Sequence, residues 1–301
     1  MRTCQSCGKA NPVSKKACSH CGTALGAHDV DELLDAVLKE TDLDPRAYEY
    51  PGDREGIERL KSLQIDKIVK IYIKRLTGPQ GTAALLGNAI EVTDKQFRDI
   101  YESALTVSRR LTMAVPRVFI LQNPVMNAAT YGVDEQHFVM LTSALVDALA
   151  EDEIMFILGH EFGHIKSNHV LYLNAAHWAI SGALALLGML VAGGPVGLLI
   201  GPAFRLALND WSRKAEYTAD RAGLLACRDL RAAALALLKI TLGSRKLMDQ
   251  VDLDAFLEQV EEKALRDYSF VEMFQSHPFM PKRIRQLQQF HAQSYHDLVS
   301  L

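Results

Sequence analysis

Glu151-Asp-Glu-Ile-Met-Phe-Ile-Leu-Gly-His160-Glu161-Phe162-Gly163-His164-Ile165 decides how the rest of the chain is read. The acids open a helix that the apolar pattern carries to about Leu173. Residues four apart share one helix face, so His160 and His164 can direct two imidazole nitrogens at one ion. Glu161 then stands beside them to activate a metal-bound water. Zinc is the expected metal, because three protein ligands leave a fourth position to water, whose pKa falls to about 7. Ile154, Phe156, Ile157, Leu158 and Ile165 ask for burial, and buried charged groups require partners.

The third ligand must come from another segment. A metzincin would need glycine at 167 and histidine at 170, where Ser167 and Val170 stand, and His169 is one place off. That class is excluded, and His169 reads as structural. A gluzincin takes a glutamate from a second helix, and Trp211-Ser-Arg-Lys-Ala-Glu216-Tyr-Thr-Ala-Asp220 supplies Glu216. Asp220, one turn later, is expected to accept a hydrogen bond from a ligand histidine and fix its tautomer.

Outward from these helices the chain is mainly helical with a small sheet, an α+β class. A helix capped by Thr93 or Asp94 is expected through Phe97 and Leu111, ending before Pro116, with strands at 117–121 and 137–141 and an extended piece at 126–131. Helices follow over 209–227, 229–242, 253–267 and 281–298. Leu60, Leu63, Ile68, Ile71, Tyr72 and Leu76 form a helical stripe backed by a basic face. Asp42–Gly56, with Pro45, Pro51, Gly52 and Gly56, reads as a linker after an acidic helix near 29–38. The expected division is 1–25, 26–56 and 57–301.

Composition is that of an ordinary globular chain: 301 residues, 33 Lys plus Arg against 36 Asp plus Glu, net charge −3. Collagen-like, disordered and disulfide-scaffold classes are excluded, and nucleic acid is not expected as a partner. Two features are uneven. Cys4-Gln-Ser-Cys7-Gly8 and Cys18-Ser-His-Cys21-Gly22 are two CxxCG knuckles separated by ten residues. Four thiolates in this spacing read as a closed, structural zinc ribbon without which some 25 residues could not fold. No secretory signal is visible, which disfavours paired disulfides and points to a reducing cytosol. A ribbon suggests docking to a protein; Cys227, on an apolar helix, reads as an inert buried thiol.

The second uneven feature is Ala175–Leu208, apolar, Gly or Pro except for His177, Ser181 and Arg205. Its 34 residues are too few for two ordinary spans of about 20 each plus a turn. A single span would part His164 from Glu216. A helical hairpin dipping into one leaflet, a tight two-span hairpin, and a pair of helices buried in protein all remain open. The expected location is cytoplasmic, membrane-associated on the cytosolic side.

Taken together, residues 85–293 resemble the membrane zinc peptidases that include the heat-shock protease HtpX and the CAAX prenyl proteases. The resemblance rests on Ala89-Ile-Glu-Val, Gln96-Phe97, Tyr101, Pro124-Val-Met-Asn127-Ala128 with Gly132, His160-Glu-Phe-Gly-His164-Ile, Glu216 with Asp220-Arg221-Ala222, His277-Pro278 and Arg283-Ile284. It implies a metalloendopeptidase with one catalytic zinc that lays polypeptide substrates along the strand at Asn127 and Ala128; the cysteine knuckles add the expectation of one structural zinc. His277, Arg283 and Tyr217 are the candidate oxyanion donors. The alternative is a non-catalytic zinc-binding scaffold using the ribbon for protein interaction; the general base Glu161 argues against it.

Overall fold

The computed structural model describes residues 2, 3, 7, 9–11, 18–22, 43–62, 86–133, 136–174, 195–248, 250–265 and 277–299. The chain divides into two compact units, Met1–Leu43 and Asp44–Leu301. In the first, β1 (Arg2–Thr3) and β2 (Ala10–Asn11) pair antiparallel. The expected acidic helix near 29–38 lies outside the described residues, as does most of the stripe beyond Ser62.

The segment read as a linker is folded. Asp44 caps a 3-10 turn at Pro45–Ala47 by accepting from the Arg46 N–H at 2.9 Å, and α1 runs from Asp53 to Ser62. Acids in its first turn and Arg59 and Lys61 in its last suit the helix dipole. Tyr48, Ile57 and Leu60 are buried. The Pro and Gly residues therefore mark turns, with Gly52 at φ +84°, rather than an unstructured connection.

β3 (Ala89–Glu91), α2 (Arg98–Arg110), β4 (Arg117–Leu121), β5 (Ala128–Val133), β6 (Gln136–Thr142), α3 (Ser143–Ala148) and α4 (Glu151–Lys166) follow. Next come α5 (Pro195–Cys227), α6 (Leu230–Leu242), α7 (Arg245–Met248), α8 (Leu253–Leu265) and α9 (Met280–Phe290), then a π segment, His291–Tyr295, and α10 (His296–Val299). The sheet order is β3-β4-β6-β5, with β4 and β6 parallel and the other pairs antiparallel. The architecture is thus mostly helical with one small sheet of four strands, and β5 is an edge strand.

Every residue of α4 from Glu153 to His164 is buried. Such a helix belongs at the centre, and α4 packs against α2, α5, α6 and β5. Its approach to α5 depends on absent side chains. A Cβ at Gly159 would come 2.3 Å from the Ala226 Cβ, and one at Gly163 2.6 Å from the Ala222 Cβ. Small residues on both helices let the backbones draw close, which brings the α4 histidines to the carboxylates of α5.

Three helix bounds differ from the sequence expectation. α2 begins at Arg98, after Phe97 at φ +58°, and not behind a cap at Thr93 or Asp94. α4 stops at Lys166 instead of running to Leu173: Asn168 takes φ +58°, and the chain is helical again over 170–174. α5 begins at Pro195, not at 209, so the second half of the expected hairpin 175–208 is continuous with the helix bearing Glu216. Residues 175–194 lie outside the described residues. Among the described residues, no helix is long and apolar enough to cross a membrane.

Candidate metal and catalytic site

Helix α4 presents His160 and His164 from consecutive turns, their Nε2 atoms 3.1 Å apart. Glu216 on α5 faces both, Oε2 at 3.6 Å from His160 Nε2 and Oε1 at 3.5 Å from His164 Nε2. All three are buried, and together they could hold one metal ion. Two imidazoles and one carboxylate suit zinc and leave a coordination position open. Burial alone would raise the Glu216 pKa, but the charges of His277 and Arg283 and hydrogen bonds from His164 and His277 hold it well below the usual range.

The two histidines differ behind the ligand face. His160 Nδ1 lies 3.0 Å from Asp220 Oδ1. Arg283 grips that carboxylate with Nε to Oδ2 at 2.8 Å and Nη2 to Oδ1 at 2.5 Å, and its Nη1 is 3.5 Å from Glu216 Oε2. The Arg283 guanidinium, named in sequence as a candidate oxyanion donor, thus meets two carboxylates, Asp220 and Glu216, beside the ligand set. Desolvation opposes the His160 charge, yet the Asp220 hydrogen bond and the Glu216 and Asp220 charges prevail and raise its pKa.

His164 Nδ1 instead meets another ring, with His169 Nδ1 at 3.1 Å, and His169 Nε2 is 3.1 Å from Asp53 Oδ2. Burial drives the His164 pKa down to about 4, against the pull of Glu216. Neither Asp53 nor the bond from His169 was anticipated. His169 lay within the helix expected to run to about Leu173, whereas Asp53 sat in a segment rich in turn residues and carried no signal.

Glu161 adjoins the ligands and accepts a 2.5 Å hydrogen bond at Oε2 from Thr130 Oγ1 on β5. Burial raises its pKa, offset in part by His160 and Thr130. Thr130 was also missed; it is a single threonine in an otherwise ordinary strand, Ala-Ala-Thr-Tyr-Gly-Val. His277, just before Pro278, reaches Glu216 Oε2 with Nδ1 at 3.1 Å while its side chain stays 65% exposed. The Tyr217 ring packs on Tyr50, centroids 4.7 Å apart. Asn127 exchanges two 3.0 Å hydrogen bonds with Thr142, its N–H to Oγ1 and its carbonyl from the Thr142 N–H, and Ala128 pairs with Leu141. Both predicted strand residues thus stand at the start of the edge strand that carries Thr130.

In the amino-terminal unit, Cys7, Cys18 and Cys21 bring their Sγ atoms within 4.8 Å of one another. Gly22 takes φ +72° directly after the second knuckle, the left-handed turn that glycine allows without strain. Cys4 lies outside the described residues. Cys227 is buried, which pushes its thiol pKa up to about 12 and keeps it protonated.

The sequence pattern of peptidase family M48 matches residues 93–291. The chain belongs to peptidase family M48. M48 is a family of metalloprotease hydrolases. All of the sequence-derived residues from Asn127 to Arg283 lie within the M48 match, whereas Asp53 lies ahead of it. Among similar proteins, the plastoglobule-localized metallopeptidase 48 of Arabidopsis thaliana is 27% identical over 220 residues, 72% of this chain and 62% of that protein. A protease HtpX homolog of Syntrophotalea carbinolica is 28% identical over 201 residues, 60% of this chain and 71% of that protein. A protease HtpX homolog of Tropheryma whipplei is 27% identical over 235 residues, 69% of this chain and 77% of that protein. The crystal structure of S. mikatae Ste24p aligns over 85% of this chain and 61% of that one, at 18% identity and a TM-score of 0.43, too low to bear on the fold.

Proposed function

We propose that this M48 chain is a zinc-dependent metalloendopeptidase in which His160, His164 and Glu216 hold the catalytic zinc and Glu161 is the general base. The observation that carries the reading is the convergence of these three buried side chains on one point, with the Glu161 carboxylate alongside. A zinc ion held by these three residues would polarise the scissile carbonyl and acidify a water. Glu161 takes the proton of the attacking water and delivers it to the leaving amine as the C–N bond breaks; its raised pKa suits a group that must accept and release a proton. Thr130 orients the Glu161 carboxylate. The edge strand β5, from Asn127 and Ala128 onward, receives an extended polypeptide by backbone pairing. His277, at the exposed side of the site, donates to the oxyanion. Asp220 and Arg283 hold His160 and Glu216 in position.

Cys4, Cys7, Cys18 and Cys21 hold a second, structural zinc, a reading supported by the clustering of the last three. The resulting ribbon is a docking unit for a protein partner. The apolar composition of 175–208 supports contact with a membrane from its cytosolic side, where the enzyme would act in quality control. Glu161→Gln is expected to keep the catalytic zinc and abolish casein cleavage; unchanged hydrolysis would overturn the mechanism. Metal analysis should return two zinc per chain and one for Cys4→Ser/Cys7→Ser, and a double variant that retains both would remove the ribbon.

A further inference from the structure

We infer that Asp53 and His169 are positioning residues for the ligand His164, so that the segment ahead of the family domain completes the metal centre. The inference rests on the reading of His160, His164 and Glu216 as the zinc site. The direction of every hydrogen bond in the chain of groups is set from its far end. The backbone N–H of Tyr50 donates to Thr218 Oγ1 at 3.0 Å, so Thr218 gives its own proton to Asp53 Oδ2 at 2.5 Å. Trp211 Nε1 can only donate, and it meets Asp53 Oδ1 at 2.9 Å. Asp53 is therefore an acceptor at both oxygens.

His169 Nε2, 3.1 Å from Oδ2, must carry a proton to meet that acceptor. Its Nδ1 then presents a lone pair to His164 Nδ1 at 3.1 Å, which has to be the N–H partner. His164 Nε2 is left unprotonated and aimed at His160 and Glu216, as ligation requires. The opposite direction would place the His164 proton on the ligand atom. Burial keeps water from supplying substitutes: Asp53, His164, His169, Trp211 and Thr218 are all buried.

Local structure holds the parts in line. The left-handed Asn168 ends α4 and turns His169 back, its N–H donating to the His164 carbonyl at 2.9 Å. The Trp211 ring meets the His169 ring edge-on, centroids 5.6 Å apart. Arg221 Nη1 donates to the carbonyls of Tyr48 at 3.2 Å and Glu49 at 2.9 Å, tying the segment before α1 to α5.

Asp53→Asn tests the assignment with little change of shape. An amide offers one acceptor where the site needs two: with its NH2 toward His169 the tautomer sequence reverses, and with its NH2 toward Trp211 two donors face each other. Zinc affinity of the full chain, measured by chelator competition, is expected to fall about 10–100-fold, the usual cost of losing a partner behind a metal-bound histidine. A second measurement uses the unmodified zinc-loaded protein: nitrogen-15 NMR should find His169 protonated at Nε2 alone and His164 at Nδ1. Asp53→Asn affinity within about threefold of the parent, or a His169 protonated at Nδ1, overturns the inference. Both readouts are taken without turnover, so their failure is distinct from a failure of the Glu161→Gln test.

Discussion

His160 and His164 occupy one face of one helix, yet the molecule supports them by unlike means. His160 leans on a carboxylate from the facing helix, Asp220, itself clamped by the Arg283 guanidinium. His164 leans on a second imidazole, and only beyond that on a carboxylate, Asp53. The direct contact raises the His160 pKa, whereas among buried rings that of His164 falls to about 4. Near neutral pH without metal, His164 is thus neutral and ready to bind, while His160 holds its proton to a higher pH than an ordinary histidine. A carboxylate next to a ligand imidazole orients it and at the same time makes the metal compete with a proton; an intervening imidazole orients without that cost.

The sharpest way to break this contrast is Asp220→Ala. It strands the buried Arg283 charge, with Glu216 still 3.5 Å away as a partial substitute. The loss should be about 3 kcal/mol in urea unfolding, the low end for breaking a buried pair, with zinc retention lost as well. Gly159→Ala strikes both supports together, because its methyl would overlap the Ala226 side chain at 2.3 Å and push α4 off α5. Overpacking of this kind costs about 1–3 kcal/mol, to be read by denaturant unfolding alongside weaker zinc binding.

Thr130→Val leaves both histidine supports alone and removes the hydrogen bond to Glu161. We expect kcat to fall roughly tenfold, equivalent to about 1.5 kcal/mol for a bond to a charged group, with zinc affinity unchanged. Because Thr130 lowers the Glu161 pKa, its loss should move the acid limb of the kcat/KM profile to higher pH. The smallest effect is expected in the metal-free protein as pH falls. His160, raised, adds stability below its folded pKa, and His164, lowered, subtracts stability below the ordinary histidine pKa. The gain from His160 comes as pH falls to the ordinary histidine pKa and the loss from His164 comes below it, so unfolding free energy should pass through a maximum near that pKa before the carboxylates titrate. Asp53, Glu216 and Asp220, all held low against desolvation, stabilise above the ordinary carboxylate pKa. That stability is lost as pH falls below about 4. Proton NMR titration should show His160 protonating well before His164.

The better-known half of the site was legible because helix geometry links sequence spacing to space. A separation of four residues put His160 and His164 on one face, and the same spacing put Glu216 and Asp220 on another helix. Strands at 117–121 and within 137–141 were legible from their β-branched and apolar runs, and they form β4 and part of β6. The Asp53 support had no such spacing. It joins residues 53, 164, 169, 211 and 218 through contacts between separate elements, and it needs the α4 break at Asn168, where a helical pattern continued unbroken.

By itself, then, the sequence determined the metal chemistry on offer: which side chains share a helix face, which metal suits them, and which carboxylate stands next to them. Tertiary structure alone decided what meets His164 behind the site, that Arg283 pairs with two carboxylates, and that Thr130 bonds the Glu161 carboxylate. The reason is physical. Local periodicity acts over a few residues, whereas a buried donor or acceptor takes whatever partner packing brings to it, and the close approach of α4 and α5 at Gly159 and Gly163 determines which partners those are.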